Sequence, residues 1–201
     1  MAITDFHGDY FFLSNFYTSP LWYNGKLWPT VEHAFQAAKV DGETADKILL
    51  AKTPGEAKRL GRSGKMRPDW DEIRVKTMEE CLMRKFLCNP ELLQKLLDTG
   101  DEELIEGNTW HDQFWGDCNC PKCTNTPGQN MLGKSLMTLR DWYRQGRIAY
   151  AVKMYNKNGA GEIKWYFKNY VDAVRYLSTR KDGNGEHCIP DDRHLIIISL
   201  R

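Results

Sequence analysis

Apolar residues recur at helical spacing over most of the first 145 positions. After Pro29, Thr30 is placed to cap a helix running from Val31 to Lys39, with Val31, Phe35 and Ala38 turned toward a core. The same reading predicts helices over 44–51, 54–60, 70–87, 91–97 and 131–143. Pro54 and Pro90 fall in first turns, where a missing N–H costs nothing, and Thr99-Gly100 and Gly146 act as stops. Ile73, Met78, Leu82, Met83, Phe86 and Leu87 form the apolar stripe of the longest helix. The stretch 6–28 mixes aromatics with turn residues and reads as extended segments joined by turns, without helix. Residues 107–129 read as a loop.

After residue 148 the period shortens to two. Tyr150 to Tyr155 and Ile163 to Phe167 flank Asn158-Gly159-Ala160-Gly161, a hairpin signature. A helix over 170–177 and a strand over 195–200 should follow. The expected architecture is a mainly α body over 1–148 with a small ββαβ appendage over 149–201. No internal repeat is evident.

Composition narrows the function classes. The chain has 201 residues and is 41% apolar, enough for one substantial core, and this excludes a disordered or fibrous protein. Its 28 basic and 27 acidic side chains leave a net charge of +1, so no global field gathers nucleic acid and any anion must be caught locally. The first residues do not read as a signal peptide, and the run Leu195 to Ile198 is far short of a membrane span. A cytoplasmic protein is expected, with no membrane contact, cofactor or obligate protein partner.

Four groups of residues carry candidate chemistry. Glu32, Gln36 and Lys39 are spaced i, i+4, i+7 and share one helix face, so a carboxylate, an amide and an amine project together. Burial among aromatics would tune that carboxylate for acid or base work, although an ordinary solvated face has the same spacing. In Asn108 to Gly116, Trp110 and Trp115 bracket His111 and Asp112, giving flat walls for a base or sugar and a carboxylate between them. Covering indoles with Asp112 capping a turn would look alike. Gly128 to Lys134 is a glycine-flanked helix start that could hold a phosphate on free N–H groups, or simply be a cap. The run 52–67 is rich in Lys and Arg, including Lys58, Arg59 and Arg62, and could clamp a phosphate or form a solvated face.

Six cysteines without a secretory signal point to reduced thiols or metal ligands, not disulfides. Cys118, Cys120 and Cys123 could hold a structural zinc with His111 or Cys188 as fourth ligand. Their C-x-C-x-x-C spacing matches no standard zinc module, so reduced thiols and no metal are the default expectation.

In order along the chain, these segments resemble the NADAR (YbiA-like) family over about residues 5 to 145. The likeness rests on Phe12 to Tyr17, Trp28 to Lys39, Gly61-Arg62, Trp70 with Arg74, Lys85-Phe86 with Asn89-Pro90, Leu96 to Gly100, Trp110 to Gly116, and Gly128 to Gly133 with Leu136-Met137 and Arg140. The resemblance implies a YbiA-like helical fold and N-glycosidase activity. The bond cut would lie in a ribosylaminopyrimidine phosphate of riboflavin biosynthesis, or between ADP-ribose and a guanine base, including one in nucleic acid. It makes Glu32 and Asp112 the catalytic carboxylates and Trp70 a site aromatic, with Trp110 and Trp115 beside it. The cysteine-bearing insert at 118–123 and everything after residue 148 depart from the family pattern.

The resulting expectation places phosphate near Arg59, Arg62 and the helix start at Asn130 and Gly133, and ribose C1′ against Glu32 and Asp112. Asn15, Phe16, Gln36 and Gly116 complete the binding set. A variant makes Lys39 a nucleophile that forms a Schiff base with the opened sugar. The competing class is a module that binds ADP-ribose without cutting it.

Overall fold

The computed structural model describes residues 1–123, 125–155, 161–167, 170–180 and 195–199. The chain divides into two compact units, one of Met1–Leu21 with Trp28–Asp141 and one of Trp22–Leu27 with Trp142–Arg201. The chain opens with strand β1 (Ala2–Ile3) and a 3-10 helix over Gly8–Leu13. Strands β2 (Leu21–Tyr23) and β3 (Lys26–Trp28) follow, joined by Asn24 and Gly25, both with positive φ as a tight hairpin turn requires.

Five helices come next: α1 (Val31–Lys39), α2 (Gly42–Leu49), α3 (Pro54–Ser63), α4 (Trp70–Leu87) and α5 (Pro90–Asp98). Their starts are locally determined. Thr30, Asp41 and Thr53 each accept a backbone N–H three residues on, and Pro54 and Pro90 occupy first turns. Helix α1 packs against α2, α3 and α4, and every residue from Val31 to Ala37 is buried. It is the centre of the first unit, which is why its polar residues cannot be solvated. Phe6, Leu13, Leu82, Phe86 and Leu96 fill the surrounding core.

Between α5 and α6 (Met131–Arg144) lie three two-residue strands, β4 (Glu103–Leu104), β5 (Gly107–Asn108) and β6 (Asp117–Cys118). β1 pairs with β4 and β5 with β6, both in parallel, so the long loop is pinned to the start of the chain and to itself. In the second unit, β7 (Ile148–Tyr155) is the middle strand of an antiparallel sheet with β8 (Gly161–Phe167) and β9 (Leu195–Ser199). Helix α7 (Tyr170–Ser178) packs on β7 and β8, with Ala173 and Leu177 buried. Residues 158–160 of the expected hairpin turn lie outside the described residues. No helix among the described residues is long and apolar enough to cross a membrane.

Two expectations need correction. The 6–28 stretch is not free of helix: Gly8, at φ 51, turns the chain into i to i+3 hydrogen bonds that bury Phe12 and Leu13. The helix expected over 44–51 begins two residues earlier, because Asp41 caps it, and it ends at Leu49.

Candidate active site

The first carboxylate is set by the start of α1. Thr30 Oγ1 accepts the His33 N–H at 3.3 Å, and the Asn15 carbonyl accepts the Glu32 N–H at 3.0 Å. Gln36, one turn on, donates Nε2 to Glu32 Oε1 at 3.0 Å. Burial raises the Glu32 carboxyl above the usual range; Lys58, the Gln36 hydrogen bond, Arg62 and Lys39 oppose this in decreasing order. Gly61 on α3 permits the arrangement. A Cβ there would collide with Gln36 Oε1 and lie 2.9 Å from Gln36 Cδ, so only glycine lets the amide lie flat against α3.

The second carboxylate is set by a loop built on Asn108. This buried side chain accepts the N–H groups of Trp110 at 3.3 Å and Asp112 at 3.1 Å, and donates to the Asp112 carbonyl at 2.8 Å. Asp112 Oδ1 in turn accepts the N–H groups of Phe114 at 3.1 Å and Trp115 at 2.8 Å. The carboxylate is therefore oriented by backbone rather than by a mobile partner.

A third carboxylate, Glu106, stands beside them and carries no sequence signal. Its N–H donates to Asn130 Oδ1 at 3.1 Å, while its Oε2 is buried without a hydrogen bond. Burial first, then Asp112, pushes its carboxyl up to about 7, with Lys58 working against them. Asn15 Oδ1 is a second buried oxygen without a partner. Unsatisfied acceptors of this kind are uncommon in a packed interior and suit a surface meant to meet a ligand.

Glu32, Glu106 and Asp112 all line one cavity of about 560 Å³. Phe16, Phe35, Trp110 and Trp115 form its walls, and Lys58 and Arg62 supply its cations. Phe35 meets Trp115 edge-on at 5.3 Å between ring centres, and the Lys58 ammonium lies 5.6 Å from the Phe16 ring centre. Trp110 is 53% exposed, so this wall is open toward solvent.

Of the residues singled out from the sequence, Asn15, Phe16, Glu32, Gln36, Arg62, Trp110, Asp112 and Trp115 line the cavity together. The others do not. Trp70 is off the lining, its ring centre 4.9 Å from that of Phe35 with the two planes tilted at 57°. Arg59 is 72% exposed and reaches Glu56 at 4.0 Å. Lys39 lies off the lining; burial, then Arg62, lowers its ammonium's pKa, and Glu32 opposes the change. Asn130 is committed to Glu106 and, through Nδ2 at 2.8 Å, to the Leu104 carbonyl. Gly116 and Gly133 pack directly on the Glu106 and Leu104 carbonyls.

Four N–H groups at the start of α6 are not free to meet a phosphate. The N–H groups of Gln129, Asn130, Met131 and Leu132 already bond the carbonyls of Gln113, Gly116, Phe114 and Trp115 at 2.7 to 3.2 Å. They clamp the Asp112 loop instead.

Lys58, named within the basic run, was passed over for Arg59, and Glu106 and Lys85 were given no role. Lys58 shares a face of α3 with Arg62 at i, i+4, and that spacing favours it over Arg59. Glu106 sits between two-residue strands, where no periodicity exists to read. Lys85, fully buried, donates Nζ to the Ser14 carbonyl at 2.8 Å and so holds the turn beside Asn15. Burial depresses its amine to about 7, with Glu106 opposing. At the tip of the Asp112 loop, His111, Cys118, Cys120 and Cys123 bring four metal-ligand atoms within 4.8 Å of one another.

Comparison with known proteins agrees with the mainly helical body. The NADAR domain profile matches residues 4–144, and the chain belongs to that family. It is 39% identical over 137 residues to an N-glycosidase of Nostoc punctiforme, covering 65% of this chain and 84% of that one. The N-glycosidase YbiA of Escherichia coli is 38% identical over 143 residues, 70% of this chain and 84% of that one. A riboflavin biosynthesis protein of Vibrio vulnificus is 40% identical over 133 residues, 65% of this chain but 35% of its own length. The solution structure of E. coli YbiA superposes with a TM-score of 0.62 at 34% identity, covering 72% of this chain and 84% of that one.

Proposed function

We propose that the chain is a hydrolase of N-glycosyl bonds, cutting between C1′ of a phosphorylated ribose and the nitrogen of its base. The observation that carries this reading is the convergence of Glu32, Asp112 and Glu106 on one aromatic cavity that also holds Lys58 and Arg62. The two cations take the phosphate, and Phe16, Trp110 and Trp115 wall the sugar and base. As the C1′–N bond breaks, positive charge at C1′ faces the fixed Asp112 carboxylate. The departing nitrogen takes a proton from a carboxyl whose hold on that proton burial strengthens; Glu106, pushed up to about 7, meets this condition, and Glu32 is shifted in the same direction. That group then receives a proton from water as the water oxygen bonds to C1′, leaving ribose phosphate and the free base.

Two substrates share this bond, a ribosylaminopyrimidine phosphate and ADP-ribose joined to guanine. The name of the V. vulnificus relative supports the first. The open wall at Trp110 supports a larger molecule that leaves part of itself outside. Residues 149 to 201 are read as a ββαβ extension, supported by β7, β8, α7 and β9, that would touch a macromolecule carrying the second substrate.

Incubation of the purified protein with each substrate, read by product mass, tests the activity. Glu32→Gln should cut turnover by about 100-fold or more while ligand still binds. If wild type binds both compounds and releases no base from either, the chain is a reader and the proposal fails. Borohydride trapping of an adduct on Lys39 would replace direct attack by water with a Schiff-base route.

A further inference from the structure

We propose that His111 Nδ1 and the Sγ atoms of Cys118, Cys120 and Cys123 bind one zinc ion in a tetrahedral, structural site. The imidazole nitrogen lies 3.3 Å from Cys123 Sγ and 3.2 Å from Cys120 Sγ. Four ligands at ordinary zinc distances would stand about 3.6 Å apart, nitrogen to sulfur, so a small outward shift admits the ion. The thiols surround the ring nitrogen and none is joined to another. Three sulfurs and one imidazole suit zinc over harder cations.

The surrounding backbone already has the form of a thiolate cage. The N–H groups of His111 and Cys120 both point at Cys118 Sγ, the first at 3.4 Å. The Cys123 N–H closes a turn on the Cys120 carbonyl at 2.9 Å, which brings both sulfurs of the C-x-x-C pair to one side. Cys118 is fixed by β6 and by Gln113, whose Oε1 accepts its N–H at 2.8 Å and whose Nε2 holds the Thr126 carbonyl. His111 itself adopts φ 66, a left-handed conformation unusual for a residue with a Cβ. Coordination compensates that strain, because this backbone turn aims the ring at the sulfurs. Residues 117–127 include no Val, Leu, Ile, Met or aromatic side chain, and a metal is the usual substitute for a core in such a segment.

All four positions are filled by protein, so the ion leaves no place for water and takes no part as a Lewis acid. Its effect on the cavity is positional. Trp110 and Asp112 flank His111 in sequence and both line the cavity, so fixing the imidazole fixes the wall and the carboxylate on either side.

Zinc content of tag-free full-length protein, purified under reducing conditions without chelator, tests the proposal independently of any glycosidase activity. Close to one zinc per chain is expected, with X-ray absorption giving three sulfur neighbours and one nitrogen. Cobalt replacement should give tetrahedral thiolate bands in the wild type. Cys118→Ser, Cys120→Ser and His111→Ala should each lose most of the metal, and Cys81→Ser, Cys88→Ser and Cys188→Ser should retain it. Absence of zinc after refolding with added zinc, iron in its place, a disulfide among the three thiols, or metal lost in Cys188→Ser would each overturn it. The X-ray absorption of the wild type decides the ligand set even where a variant fails to fold.

Discussion

Gly61→Ala is a sharp probe of how the first carboxylate is held. The new methyl must displace the Gln36 amide, since its carbon would lie 2.9 Å from both Cβ and Cδ of that side chain. Displacement breaks the 3.0 Å hydrogen bond from Gln36 to Glu32, and such a clash in a packed interior costs about 2 kcal/mol. Alanine's better helix propensity returns about 1 kcal/mol, leaving a net loss of about 1 kcal/mol. For a domain of this size, that lowers Tm by about 3 °C. The chemical consequence is separable. The Gln36 N–H stabilises the charged form of Glu32; without it burial is less opposed, the carboxyl is raised further, and the pH–rate limb that reports Glu32 moves to higher pH. Gly55→Ala in the same helix is the control, because its Cβ would meet nothing closer than Thr53 Oγ1 at 3.9 Å. It should hold or raise Tm and leave the profile alone. Thermal melting and pH–rate profiles of both variants measure this. If Gly61→Ala matches Gly55→Ala in both, the packing of Gln36 against α3 does not control Glu32.

Two further outcomes follow from the same cavity. The folded chain binds the Glu106 proton more tightly than the unfolded chain does, so this stabilisation is full below about 4.5 and is lost as pH rises through about 7. Over that window it costs wild type up to about 3 kcal/mol, so Glu106→Gln should gain on wild type between pH 5 and 8 in urea denaturation. Parallel stability curves for the two proteins would refute this account. Lys58→Met or Arg62→Met should raise KM for the phosphorylated substrate by roughly 10- to 100-fold each. The dephosphorylated analogue should be unaffected, and Arg59→Met should change neither. Equal losses on both analogues would mean that these cations hold the fold and not a phosphate.

Half of the site could be read from the chain because its parts are local. Glu32 and Gln36 share a face through helical spacing, and Trp110, Asp112 and Trp115 lie within six consecutive residues. Lys58 and Arg59 both belong to the basic run, yet one residue along a helix rotates a side chain by about 100°, which carries Arg59 to solvent and Lys58 to the cavity. The glycine-flanked start of α6 looks like an anion site in isolation. Four of its N–H groups are consumed by carbonyls 14 to 17 residues earlier, a pairing that nothing nearby in the sequence announces.

What the sequence by itself determined is the helical body and most of its helix starts. Capping by Thr30 and Thr53, proline in the first turns of α3 and α5, and the apolar stripe of α4 act within a few residues, so their outcome is legible in order. Only the tertiary structure decided that Glu106 joins the other two carboxylates, that Lys85 is buried under Ser14, and that His111 faces three sulfurs. Those are matters of desolvation and of direction in space. They depend on which distant segments exclude water together, and that is not defined until the chain has closed on itself.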